Sequence, residues 1–146
     1  MIDFSSYERV KLDDIADFER AKKGHVYPTG TSTLQISATR GQIGYLEHPS
    51  TIESKYAAIT PMAGLNPRYF NLILQKNIDE FMRKYMADLN IQLNDLRHFP
   101  IEICNYETQE AVARMVMFVG DKKAEAEHEL AYLLELKQAL LQRMML

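Results

Sequence analysis

Between Glu107 and Leu146 apolar residues return at alternating steps of four and three. Val112, Val116, Val119, Ala126, Leu130, Leu133, Leu140 and Met144 fall on one line, interrupted only by Lys123 and Lys137. That spacing is a heptad seam. The stretch has no proline and a single glycine, Gly120. With Thr108 as its cap it predicts a helix to the end of the sequence, about 58 Å long at about 1.5 Å per residue. Such a helix is longer than the rest of so small a protein is wide, so its stripe calls for a partner.

Upstream the period changes. Leu12, Ile15, Ala16 and Phe18 share a helical face behind Asp13 and Asp14, which suit the positive end of a helix dipole, so Val10 to Phe18 predicts a short turn or helix. Glu19 to His25 is polar and basic, and Tyr27 to Ser32, with Pro28 and Gly30, is turn chemistry; together they predict an exposed loop. Thr33 to Ser37 alternates, with Leu34 and Ile36 on one face, and predicts a half-buried strand. Ala38 to Gln42 is a turn and Ile43 to Leu46 a second strand, which makes a hairpin. Pro49 to Ser54 breaks the pattern, and Lys55 to Pro61 reads as a strand stopped by proline. Asn66 then caps a helix that has Pro67 at its first position. Tyr69, Phe70, Ile73 and Leu74, then Ile78, Phe81, Met82 and Tyr85, recur at helical spacing, as two helices or as one broken near Asn77. Leu89 to Leu96 is polar with regular apolar punctuation, and Phe99 to Ile103 predicts a last strand in which Pro100 marks an edge. The expected class is α+β: a small mixed sheet with packed helices over residues 1–106, then a coiled-coil-type helix over residues 107–146. No internal repeat is present.

Composition sharpens this picture without overturning it. At 146 residues the chain holds one domain with a core plus a helical arm. The formal net charge of -3 does not announce a nucleic-acid binder, but the charge is uneven. Phe18 to Thr60 carries five bases (Arg20, Lys22, Lys23, Arg40, Lys55) against three acids (Glu19, Glu47, Glu53), whereas Asn105 to Leu146 carries five bases and seven acids. Cys104, the single cysteine, has no internal disulfide partner; it reads as a small buried hydrophobe in a strand and suits a reducing compartment. No apolar run approaches the ~18 residues of a membrane span, and a cytoplasmic location is expected. His25, His48, His98 and His128 are scattered at no ligand spacing, so no metal site is expected.

Catalytic chemistry is equally sparse. Gly41 and Gly44 make a G-x-x-G fragment without the third glycine of a dinucleotide loop. Ser54 and Lys55 are adjacent, and neighbours on a strand point to opposite faces, which argues against an acyl-transfer pair. The carboxylate pairs Asp13-Asp14 and Asp79-Glu80 fit helix starts.

A series of segments nevertheless carries a resemblance. Leu12-Asp13-Asp14-Ile15-Ala16-Asp17-Phe18 resembles the "L-x-D-I-A" opening of a target recognition domain in the specificity subunit of type I restriction-modification systems. Ile36 to Gly44 is similar to that family's strand-turn-strand, Lys55 to Ile59 to its later core strand, and Asn66-Pro67-Arg68-Tyr69-Phe70 to its "N-P-x-Y-L/F" helix start. Leu96 to Ile101, followed by Glu107 to Ala113, resembles the passage into the family's long conserved helix, with Asn105-Tyr106 standing where prolines are usual. The matches follow one another in the family's order from about Lys11 to Leu146.

The resemblance implies half of a specificity subunit: one DNA-reading domain and one helix, where a full subunit has two of each. It implies no catalysis by this chain and no cofactor bound to it, S-adenosylmethionine being expected on partner modification subunits. Implied partners are double-stranded DNA, a second copy or another half subunit, and modification and restriction subunits that methylate and cleave. Arg20, Lys22, Lys23, Tyr27, Thr39, Arg40, Gln42, Lys55 and Tyr56 are the expected DNA contacts. Among them Arg20, Lys22 and Lys23 suit phosphates, while Arg40 and Gln42 suit the edges of guanine and adenine. Val112, Val116, Val119, Lys123, Ala126, Leu130, Leu133, Lys137, Leu140 and Met144 are the expected pairing positions. A protein-binding adaptor that assembles through its helix and never meets DNA is the alternative.

Overall fold

The computed structural model describes residues 1–145; Leu146, the last residue of the expected helix, lies outside them. The chain divides into two units, one over Met1–Ala113 and one from Arg114 onward. In order, the first contains β1 (Glu8–Lys11), α1 (Leu12–Ile15), β2 (Ala16–Arg20), β3 (Val26–Tyr27), β4 (Ser32–Gln35), β5 (Ile43–Tyr45), β6 (Ser50–Thr51), β7 (Tyr56–Pro61) and α2 (Pro67–Tyr85). A 3₁₀ turn (Leu93–His98), β8 (Pro100–Ile103) and the start of α3 (Tyr106–Met144) complete it.

The class is α+β. Four strands form the main sheet in the order β2-β7-β4-β5, and β1-β8 and β3-β6 make two smaller pairs. The expected mixed sheet is corrected: every strand pair is antiparallel. Parallel neighbours need a crossover of a dozen residues or more, usually a helix. Here α2 follows β7, the last strand of the main sheet, so no helix lies between its strands.

Asn66 and Pro67 start α2 as their chemistry dictates. The Asn66 side chain accepts from the Tyr69 N–H at 3.0 Å, and Pro67 occupies a first-turn position where no N–H is missed. The helix is continuous over 19 residues, so the expected break near Asn77 does not occur. Asn77 is buried, and its amide donates outward to the Pro100 carbonyl at 2.8 Å and to Glu102 Oε2 at 2.5 Å instead of competing for its own backbone. Tyr69, Phe70, Ile73, Leu74, Ile78 and Phe81 join Leu34, Ile36, Ala57, Ile59, Phe99 and Ile101 in one buried cluster. Asn71 ties helix to sheet through polar contacts, donating to Ser32 Oγ at 3.0 Å and to the Gly44 carbonyl at 2.9 Å. A Cβ at Gly44 would lie 2.6 Å from Thr33 Oγ1, so any side chain there would force Thr33 to shift.

Other expectations are corrected by partners far away in sequence. Val10 to Phe18 is a one-turn helix inserted between two strands, β1 pairing with β8 and β2 with β7. Glu19 to Ser32 is not an exposed loop throughout, because Tyr27, Thr31 and Ser32 are buried and β3 pairs with β6 inside the stretch taken as a break. Asp79 and Glu80 lie in the second half of α2 and not at a helix start; Glu80 faces Arg9 at 2.6 Å. Asn105 caps α3 in place of Thr108, its Oδ1 accepting from the Thr108 N–H and hydroxyl, each at 2.9 Å. Thr108 is buried and takes the Asp3 N–H on its own oxygen. Cys104 follows β8 and is half-buried against the core cluster.

Thr108, Gln109 and Ala113 are buried, so the first two turns of α3 belong to the globular unit, and Val112 packs half-buried on its core. From Arg114 to Met145 every residue is exposed. Val116, Val119, Leu130, Leu133, Leu140 and Met144 are thus uncovered on a helix of 39 residues, about 58 Å by its rise. Lys123 lies 3.9 Å from Glu127 one turn on, an exposed pair that contributes little. Among the described residues no helix is long and apolar enough to cross a membrane.

Candidate nucleic-acid interface

Antiparallel order brings three loops to one end of the main sheet. Arg20 closes β2, Gln35 closes β4, Ile43 opens β5 and Tyr56 opens β7, and the registers Arg20 to Ala57, Gln35 to Tyr56 and Leu34 to Ile43 place them side by side. Residues 21–25, 36–42 and 52–55 therefore share that end. With them come Arg20, Lys22, Lys23, Arg40 and Lys55, all exposed. Glu47 is removed to the opposite end, where it pairs with Arg68. Of the acids in this part of the chain Glu19 and Glu53 remain, which leaves five bases less two acids, a local +3.

Arg20 donates to Ser37 Oγ at 3.1 Å, which joins the first loop to the second. Lys22 lies 3.3 Å from Glu19, and Lys55 lies 3.5 Å from Glu53 and 5.5 Å above the Tyr56 ring. These pairs are exposed and weak, so the lysines can exchange a carboxylate for a phosphate at little cost. Ser54 and Lys55 sit in the turn before β7 and not on a strand.

Tyr27 and Thr39 are corrections to the expected face. Tyr27 is 4 % exposed; its hydroxyl donates to Glu19 at 2.8 Å and accepts from the Lys22 N–H at 3.0 Å. Burial pushes the Tyr27 phenol up, while its hydrogen bond holds the Glu19 carboxyl below the usual range. The ring packs with Ala21, Ile52 and Ala58 in a small second core, so it supports the loop and does not face outward. Thr39 is 1 % exposed and braces its own turn, Oγ1 accepting from the Gly41 N–H at 2.9 Å and donating to Gln42 Oε1 at 3.1 Å. Gln42 Oε1 also accepts from the Arg40 N–H at 2.8 Å. Both lone pairs of that oxygen are used, and only the amide donors remain, whereas a two-point contact with adenine needs the oxygen as well.

Sequence reasoning missed the groups that hold these loops. Gln35 donates to the Ser37 and Ala38 carbonyls, and Asn90 accepts from the Ala38 N–H, from a turn some fifty positions further on. Nothing in local spacing signals either role. Among the described residues no buried side-chain nitrogen or oxygen lacks a partner, and no cluster of His, Cys, Asp and Glu has metal-binding geometry.

No protein-family model matches the sequence, and no curated protein matches it. Solved structures do. The S subunit of a type I restriction-modification system from M. genitalium superposes with a TM-score of 0.71 at 17 % identity, over 93 % of this chain and 45 % of that one. A chain from a study of complex assembly and conformational transition of the type I R-M system gives 0.69 at 14 % identity, over 87 % and 41 %. The HsdS subunit of Thermoanaerobacter tengcongensis gives 0.64 at 13 % identity, over 84 % and 39 %. At these identities the likeness is one of fold, and this chain spans less than half the length of each of these three structures.

Proposed function

On the premise of an S-subunit fold, we propose that this chain is a half specificity subunit that reads one half of a split double-stranded DNA target. The single observation that carries the reading is the loop end of the sheet, where sequence-distant segments gather Arg20, Lys22, Lys23, Arg40 and Lys55. Lys22 and Lys23 serve phosphates, and Arg40, at the tip of the 38–42 turn, reaches a base edge. The exposed seam of α3 pairs with a second copy or with another half subunit. Two identical domains on antiparallel helices then face an inverted repeat with a spacer. The chain performs no chemistry; methylation from S-adenosylmethionine and cleavage fall to modification and restriction subunits that it directs.

Arg40→Ala and Lys22→Ala separate the two kinds of contact when binding to specific and unrelated duplexes is measured across a salt series. Arg40→Ala should cost about 1–3 kcal/mol of discrimination at one base position. Lys22→Ala should weaken all sequences alike and lower the salt slope by about 0.9 per copy bound. Unchanged binding in both variants would remove this face. Protein association without any salt-dependent DNA binding would favour the adaptor.

A further inference from the structure

The residue two places before Arg40 is in an unusual conformation. Ala38 has φ of 48°, a left-handed value that a non-glycine residue holds only when its surroundings fix it. Both of its backbone polar groups are taken by side chains. Asn90 Oδ1 accepts its N–H at 3.0 Å, and Gln35 Nε2 donates to its carbonyl at 2.9 Å. The next residue is held by the same turn, the Thr39 N–H donating to the Leu89 carbonyl at 2.8 Å. The turn itself is closed without the Asn90 side chain, by reciprocal backbone bonds of 3.0 Å between Ala87 and Asn90. On its other side the tip rests on α2. Gly41, with φ of 85°, sits so close that a Cβ would lie 2.8 Å from Met82 Cε and 3.0 Å from Ile78 Cγ1.

We infer that Asn90 is a positioning residue for sequence reading: through Ala38 it fixes the direction of Arg40 without touching DNA itself. The inference rests on the DNA-reading function proposed above. A left-handed Ala38 relaxes toward commoner dihedrals once its N–H loses its acceptor, and a change there swings the chain leading into Arg40. A guanidinium makes two bonds to guanine only when its plane lies in that of the base, so a preset tip gives selectivity that a mobile one loses. Phosphate contacts tolerate such movement, because charge attraction has little angular demand.

Asn90→Ala and Asn90→Asp in the full chain test this with two readouts. Amide exchange of Ala38 to Gly41 should quicken about 10-fold or more in Asn90→Ala, with α2 and the main sheet unchanged, and should return toward wild type in Asn90→Asp, whose carboxylate keeps the acceptor. On the duplex that wild type selects from a random pool at low salt, Asn90→Ala should lose most of a roughly 5- to 150-fold preference at one position while its affinity for unrelated duplexes stays the same. Asn90→Asp should regain the preference. Unchanged exchange, unchanged preference, or an equal loss on all duplexes would overturn the role of Asn90. A wild-type chain that selects no sequence would instead overturn the DNA reading, and the positioning role with it; the failure would then lie in the parent and not in the variant.

Discussion

If α3 pairs as proposed, Leu133→Glu combined with Leu140→Glu should turn a self-associating chain into a monomer. Both leucines lie on the α3 seam, half exposed, at 50 % and 51 %. Burying a leucine contributes about 1.5–3 kcal/mol, and in a two-fold pair each substitution counts in both copies. About half of each leucine remains to be buried, so four lost burials amount to about 3 kcal/mol at the lower bound, or about 10²-fold in Kd, before the cost of placing carboxylates in the seam. Sedimentation velocity at micromolar concentration reads the result directly. Circular dichroism adds a second signature: a helix exposed from Arg114 onward would gain stability from the proposed partner, so wild-type helix content should rise with concentration. The variant should lose that rise. Lys123→Leu and Lys137→Leu should keep helix content yet loosen the choice between parallel and antiparallel pairing, since polar seam residues set orientation at some cost in stability. A wild-type chain that sediments as a monomer would contradict pairing with a second copy.

Asn77→Ala should be the most damaging polar substitution in the globular unit. Its amide bonds both the Pro100 carbonyl and Glu102, a carboxylate whose side chain is only 9 % exposed and whose other partners are Lys76 at 3.2 Å and Arg9 at 3.6 Å. Tyr69 closes the same region by donating to the Glu102 carbonyl at 2.7 Å. Removing the amide takes the side-chain donor from a part-buried carbonyl and deprives a buried carboxylate of its closest donor, a loss of about 2–4 kcal/mol in urea unfolding. The effect should depend on pH. Burial pushes the Glu102 carboxyl up, but the Asn77 amide and the Lys76 ammonium outweigh it and hold the group below its ordinary 4.5. A carboxyl lower in the folded than in the unfolded chain contributes stability above the unfolded value and loses it as pH falls through the folded one. The gap between wild type and Asn77→Ala should therefore be widest near neutrality and shrink below pH 4.5. A gap that widened in acid would refute the assigned charge state.

Elements with a strong period and local punctuation were legible in the sequence. Leu34 and Ile36 marked β4, Pro61 ended β7, Asn66-Pro67 opened α2, and the heptad line marked α3. Elements that exist because of distant partners were not. Glu8 to Lys11 carries no strand signal of its own and is a strand because it lies against Pro100 to Ile103. Leu12, Ile15 and Ala16 have helical spacing and Ala16 and Phe18 strand spacing; the fold satisfies both by joining a one-turn helix directly to β2. At the candidate interface the charges were readable as a basic stretch, but burial was not. Tyr27 and Thr39 are turn-forming neighbours by sequence, and only the second small core and the turn at Leu89 and Asn90 draw them inward. The supporting roles of Asn71 and Asn90 depend on contacts across the fold, which spacing along the chain does not encode, and that of Gln35 on the bend that brings the carbonyls two and three residues on back to its amide.

The central claim, that this chain reads half of a split DNA target, is tested most directly by letting the full wild-type chain select duplexes from a random pool at low ionic strength and sequencing what is retained. The account predicts an enriched inverted repeat, two identical short halves separated by a spacer of constant length. Retention without any enriched sequence, or no retention at all, would contradict it.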